Sequence, residues 1–347
     1  MSVGGSSAQT RSARVGAGAF QFQAQVGWEQ LPAGWNLVEA AGVASDSTGN
    51  VLVFNRGEHP LIVFDRQGRF LRSWGEGFFV RPHGLTIGPD DAVYCVDDMG
   101  HAVHKFSPDG KLLLSLGTRG VAADTGAQGF DYRTIRRAAG PFNCPTNLAL
   151  AANGDMYVAD GYGNARVHHF AADGRLIRSW GSCGAGPGEF HLPHGIAVDR
   201  AGTVYVADRE NSRVQLFSPD GRFVEEWTGI ARPCQVRIDA TGNIYVAELG
   251  YRAGMFPGNV PPPQATAEGA SPTGGRLSIF SAAGQLLTRI GGGERPTAAG
   301  DFLAPHDVWI DRFGDVYMAE VIASAGCPGG PPPAECHTLQ KFTRVTN

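Results

Sequence analysis

Three histidines stand in one recurring context. The stretches "FVRPHGLTIG" at 79–88, "FHLPHGIAVD" at 190–199 and "FLAPHDVWID" at 302–311 each carry a Phe, two further residues and Pro-His ahead of an apolar run. Equivalent positions of a repeated unit can be brought to one point. Three neutral imidazoles without a fourth protein ligand suit zinc or a similar divalent ion, and leave a coordination position open for chemistry. His83, His194 and His306 are the candidate ligands.

The elements that position them form a repeat. A unit of about 40 residues recurs, with four short strands and Asp-Gly, Asn-Gly or Ala-Gly turns, the pattern of a propeller blade. Copies begin near Val38, Arg81, Cys144, Leu192, Arg232 and Leu303, which predicts an all-β fold of six four-stranded blades. Segments such as "TVYVAD" and "RVQLFS" alternate with the period of two that strands require. The last copy stops after its third strand, and "FQFQAQVGW" at 20–28 is expected to supply the fourth and close the ring. Residues 1–18 are expected to be a disordered tail, and 19–347 the propeller.

Aligned by copy, the three histidines share one register at the start of the innermost strand of blades two, four and six. Ala41, Thr146 and Cys234 hold it in the other three. Alternate blades of such a ring are about 120° apart, so the imidazoles can meet on the axis. The residues after the second strands lie on the same face, and there stand Arg56, Tyr162 and Arg209. Two guanidinium groups and a phenol beside a metal suit an anionic substrate and a proton transfer. Long loops at 118–143, 251–275 and 322–337 fall on this face as well, where recognition commonly resides. Tyr132, Arg137, Phe142, Tyr251 and Met255, in or beside those loops, are expected to line the pocket.

Composition excludes several partners. The net charge of −4, with both signs interspersed, lacks the basic footprint that nucleic acid requires. No apolar run approaches the roughly 20 residues of a membrane helix, and the first residues lack a secretory apolar segment, so a cytoplasmic protein, a monomer as far as the sequence goes, is expected. The six cysteines include no CxxC pair, and only Cys327 and Cys336 sit within one loop where they could bridge.

The strings "VFNRGEH", "RPHGL", "CPTN", "VADGYGNARV", "LPHGIAV", "VADRENSRVQ" and "APHD" together make the chain similar to the catalytic domain of peptidyl-α-hydroxyglycine α-amidating lyases, six-bladed propellers of NHL-type repeats. The resemblance spans all six blades. It implies zinc on His83, His194 and His306, Tyr162 as the base, and Arg56 and Arg209 as the substrate arginines. It also implies a structural calcium on Asp307 and the main chain of Val43 and Leu85, and cleavage of a small anionic carbinolamide to an amide and glyoxylate. There are departures. Cys144 matches one half-cystine of the family but Gly163 stands at its partner position, and the second pair falls on Tyr205 and Leu216. Ala304 replaces a methionine of that active site, and the Pro-rich 251–275 loop is unlike the family's fifth blade. Two other readings therefore stand beside it: a metal-dependent lyase, hydratase or hydrolase of another small polar substrate, and a non-catalytic NHL scaffold. A calcium-dependent lactonase fits poorly, since such a site calls for carboxylate and amide ligands.

Overall fold

The computed structural model describes residues 11–251, 274–326, 331–332 and 335–345. Its innermost strands are Ala40–Ser45, Pro82–Ile87, Pro145–Leu150, Pro193–Val198, Pro233–Ile238 and Pro305–Ile310, and each begins an antiparallel sheet of the next strands in sequence. The second strands, such as Val204–Asp208 and Val316–Glu320, are buried along their whole length because a neighbouring blade covers each face. Outer strands such as Leu176–Trp180 are largely exposed. Six blades result, as the repeat predicts.

Apolar side chains between neighbouring blades hold the ring. Phe54, Leu61, Leu85 and Phe106 join blades one and two; Ala159, Phe190, Val206 and Phe217 join three and four. The seam between blades six and one is filled by Trp28, Phe64, Val53 and Tyr317. Phe20–Val26 pairs with Leu339–Arg344 as the fourth strand of blade six, so the chain closes by bonding its beginning to its end. One expectation fails here. Arg11–Ala17, read as tail, is a fifth strand that pairs with Phe20–Val26 through a turn at Gly18 and Ala19, with Gly18 at positive φ. Its side chains alternate between half-buried and exposed, so it adds backbone hydrogen bonds and little core.

The last residues of the second strands, Asn55, Asp97, Asp160, Asp208, Glu248 and Glu320, are all fully buried. Each accepts hydrogen bonds from backbone N–H groups that lead into its own innermost strand, as Asp97 does from Val80 and Arg81 and Glu320 from Leu303 and Ala304. These bonds fix where the innermost strand starts, and that start is where the histidines sit. Among the described residues no helix is long and apolar enough to cross a membrane.

Candidate active site

Each histidine lies in a β-bulge. Register shifts between Pro82 and Leu85, Pro193 and Ile196, and Pro305 and Asp307, so the residue after proline leaves the sheet's alternation and turns toward the axis. After His83 and His194 the following glycine lets the next blade come close. A Cβ on Gly84 would stand 2.7 Å from the Thr146 carbonyl oxygen, and one on Gly195 2.6 Å from that of Cys234. Those carbonyls do the orienting. Nδ1–H of His83 donates to Thr146 O at 2.6 Å, that of His194 to Cys234 O at 2.7 Å, and that of His306 to Ala41 O at 2.7 Å. A carbonyl can only accept, so all three imidazoles carry their proton on Nδ1 and face the axis with the Nε2 lone pair. The three acceptors are the very residues that hold the histidine register in the intervening blades.

The rings meet with centroids 4.6–4.8 Å apart, and their ligand atoms lie within 4.8 Å of one another. Burial, then the neighbouring imidazoles and Arg56, hold His83 well below 6.5; burial and Arg209 do so for His194, and burial and Arg56 for His306. Neutral imidazoles in this arrangement are short of donors. Tyr162 Oη lies 3.2 Å from Nε2 of both His83 and His194, but its one proton serves one of them at a time. Nε2 of His306 is buried with no hydrogen-bond partner among the described residues. An unpaired buried acceptor costs on the order of 1–3 kcal/mol, so the donor set fits a divalent cation.

The three residues expected around the metal are brought together. Arg209 Nη1 donates to Tyr162 Oη at 3.4 Å, and its guanidinium lies 5.4 Å from the Tyr162 ring centroid. Glu210 fixes that arginine at 2.8 Å and is itself held by Arg232 at 2.8 Å. Burial opposes ionisation of Glu210, yet Arg209 and Arg232 hold its carboxyl down at about 2. Arg56 donates through Nε to Pro82 O and through Nη1 to Glu39 and to Ser324 of the blade-six loop. Its Nη2 is buried and has no partner among the described residues, which leaves it for a ligand.

Asp98 was not among the expected residues. It follows its second strand at the register of Arg56 and Arg209, and that register was the signal that could have found it. Its Oδ2 is buried without a hydrogen bond among the described residues, 3.2 Å from Arg81 Nη1 and 4.0 Å from His83 Nε2. Burial raises its carboxyl to about 6 against the pull of Arg81. Blades five and six carry Leu249 and Val321 at this register, and with Ala41, Cys234 and Ala304 they form an apolar patch. The site is thus charged on one side and apolar on the other.

Of the loop residues, Tyr132 packs with Tyr162, Cys144 and Leu192, and Phe130 of the same loop lies 4.9 Å from Tyr162. Tyr251 hydrogen-bonds Ser212, and Arg137 is tied to the Asp124 carbonyl within its own loop. Phe142 is not pocket lining: it is fully buried beneath the loop, against His168 and Phe170. Met255, most of the 251–275 loop and Cys327 lie outside the described residues. Tyr205 and Leu216, at the family's second disulfide, are directly opposed cross-strand partners in the core between blades four and five, where apolar contact takes the place of the bridge.

The calcium set does not match the structure. Asp307 is fully buried, but a guanidinium already stands beside it: Arg237 Nη2 lies 3.6 Å from Asp307 Oδ1 and donates to Leu85 O at 2.7 Å. Val43 meets Asp307 through its N–H, which donates to Oδ2 at 3.1 Å.

The NHL repeat family matches residues 142–170 and 190–217. Mouse NHL repeat-containing protein 3 is 30% identical over 298 residues, 80% of this chain and 76% of that protein. Peptidyl-alpha-hydroxyglycine alpha-amidating lyase 1 of Drosophila melanogaster is 38% identical over 173 residues, 46% of this chain, but the match spans only 29% of the fly protein. Among solved structures, virginiamycin B lyase of Staphylococcus aureus superimposes with a TM-score of 0.56 at 12% identity, over 93% of this chain and all of that one. A Xanthomonas campestris gluconolactonase does so with 0.58 at 14%, over 96% and 94%. At such identities these two speak for the fold alone. The repeats, the length of the match to the mouse protein and the lyase-type strings lead to one assignment: the chain belongs to the NHL-repeat proteins, as an amidating-lyase-like member.

Proposed function

We propose that the protein is a zinc-dependent lyase that cleaves a small anionic α-hydroxy acid of carbinolamide type, R-CO-NH-CH(OH)-COO⁻, to the amide R-CO-NH2 and glyoxylate. The observation that carries this reading is the convergence of three Nε2 lone pairs, with Tyr162 Oη 3.2 Å from two of them and Arg209 beside it.

A divalent ion on His83, His194 and His306 would supply Lewis-acid polarisation of a substrate oxygen. The rest falls to the chain. Tyr162 Oη, acting as the phenolate, takes the proton of the substrate hydroxyl, and the hydrogen bond from Arg209 Nη1 stabilises the phenolate oxygen before the transfer. As the C–O bond becomes a carbonyl, the C–N electron pair leaves with the amide nitrogen, which then receives that proton. No electron is gained or lost. Nη2 of Arg56 takes the carboxylate, and Glu39, Ser324 and Pro82 O hold the guanidinium in place. The apolar patch of Leu249, Val321 and Ala304 receives the non-reacting part of R.

The test is product analysis with α-hydroxyhippurate. Equal amounts of benzamide and glyoxylate are expected from the wild type and none from His194→Ala, which should also lose its metal. Metal-loaded protein that forms neither product contradicts the substrate. A second reading, a lyase, hydratase or hydrolase of another polar substrate, is favoured by Asp98: a buried acceptor 4.0 Å from a candidate ligand suits a substrate that brings a hydrogen-bond donor to that side. Turnover of other hydroxy acids but not of α-hydroxyhippurate would select it. A non-catalytic scaffold requires neither stoichiometric metal nor the three histidines.

A further inference from the structure

We propose that this chain has replaced the structural calcium of the propeller axis with its own Arg237 guanidinium, and that it folds without calcium. The proposal concerns the far side of the axis from the imidazole Nε2 atoms and does not depend on the reaction.

Gln235 and Arg237 lie two apart on the innermost strand of blade five, so they share a face. Gln235 Nε2 donates to Asp307 Oδ1 at 2.9 Å, and Arg237 approaches the same oxygen at 3.6 Å. The other carboxylate oxygen accepts from Val43 N–H, and Oδ1 accepts also from Val308 N–H. Arg237 also reaches blade two, giving Nη2–H to Leu85 O at 2.7 Å and Nη1–H to Thr86 Oγ1 at 3.1 Å, while its buried Nε has no hydrogen-bond partner among the described residues. Its plane lies over Trp309, 4.9 Å from the ring centroid. One guanidinium thus links blades two, five and six, and two of these, blades two and six, are ones that the implied calcium ligands Leu85 and Asp307 would have joined.

A calcium ion needs six to eight oxygen ligands and a surplus of negative charge. Neither is on offer here. Asp307 is the carboxylate at hand, its charge is matched by Arg237, and its oxygens and Leu85 O are taken by N–H donors. A dication would also stand against a fixed positive charge in a buried, weakly screened place. A cavity of about 360 Å³ is lined by Arg237, Trp309, Thr86, Ala149 and Ala197, and none of the three histidines is among its lining residues.

The test compares melting in calcium-free buffer that contains zinc with the same buffer plus about 2 mM CaCl2 or MgCl2, alongside metal analysis. For the wild type, no calcium at stoichiometric level and a melting temperature unchanged within about 1 °C are expected. Arg237→Ala should melt roughly 5 °C lower or more, and CaCl2 but not MgCl2 should recover much of the loss, since the charge of Asp307 is then unmatched and the Leu85 carbonyl is released. About one calcium per wild-type chain, a wild type stabilised by calcium, or an Arg237→Ala chain as stable as the wild type would each overturn the proposal. Should Arg237→Ala fail to fold, the wild-type measurements still decide, and Arg237→Lys, which keeps the charge, should fold and stay indifferent to calcium.

Discussion

Gly195→Ala is the substitution that most sharply joins the Pro-His-Gly motif to the metal centre. The added Cβ would stand 2.5 Å from Gln235 Cα and 2.6 Å from Cys234 O, where ordinary contact begins near 3.4 Å. Both atoms belong to the main chain, so blades four and five must part by about 0.9 Å. That displacement stretches the 2.7 Å bond from His194 Nδ1–H to Cys234 O to about 3.6 Å, beyond a hydrogen bond. Overpacking costs about 1–3 kcal/mol and the stranded buried donor a similar amount, roughly 2–6 kcal/mol in all. His194 then loses the bond that sets its tautomer, and loss of such an orienting partner typically lowers metal affinity about 10–100-fold. Competition with a chromophoric chelator and thermal denaturation read both effects. Gly140→Ala, with nothing within 4 Å of the added Cβ, is the neutral control. A Gly195→Ala protein with wild-type melting and wild-type metal affinity would refute the argument that the glycine is there to admit the acceptor carbonyl.

Other expectations follow from single features. Tyr162→Phe should keep its metal and lose about 10²–10⁴-fold in kcat; equal loss of metal would make the phenol a structural group instead of a base. In metal-free protein, Asp98→Asn should stabilise the fold at pH 7. The folded carboxyl titrates near 6 against an unfolded value of 3.8, so its charged form costs up to roughly 3 kcal/mol above pH 6, and the gain should vanish as pH falls through 6 towards 4; a gain that grew on acidification would contradict the assignment. Removal of residues 1–28 exposes the edge of Leu339–Arg344 and withdraws buried Phe22, Val26 and Trp28, so denaturant unfolding should show a loss of roughly 5–8 kcal/mol; an unchanged midpoint would mean that the ring does not need its fourth strand.

The blade count, the closing strand and the convergence of His83, His194 and His306 were all legible because each rests on a repeated side-chain pattern. Arg56, Tyr162 and Arg209 followed from connectivity, since loops after second strands share a face with the starts of first strands. What escaped has physical reasons. The acceptors that orient the imidazoles are backbone carbonyls, which leave no residue type to read; only their positions, Ala41, Thr146 and Cys234, were visible. Asp98 was hidden by Asp97, since one of the two ends the strand as a backbone cap and the other enters the site. Arg11–Ala17 has too few apolar residues to announce a strand, and forms one because an open edge lies beside it. No pattern in the sequence sets Arg237 apart from the other charged residues of the strands. Its part in the axis appears only when blades two and six are set against blade five.

The central claim is a three-imidazole metal centre with an open position, and the direct test is metal analysis of the wild type and of His83→Ala, His194→Ala and His306→Ala, with X-ray absorption at the metal edge of the wild type. The account predicts about one zinc per wild-type chain, three nitrogen ligands at about 2.0–2.1 Å with an oxygen in the remaining position, and loss of tight binding in each variant. Protein that carries no stoichiometric divalent ion even when zinc is supplied, or that keeps its ion after the histidines are removed, would contradict it.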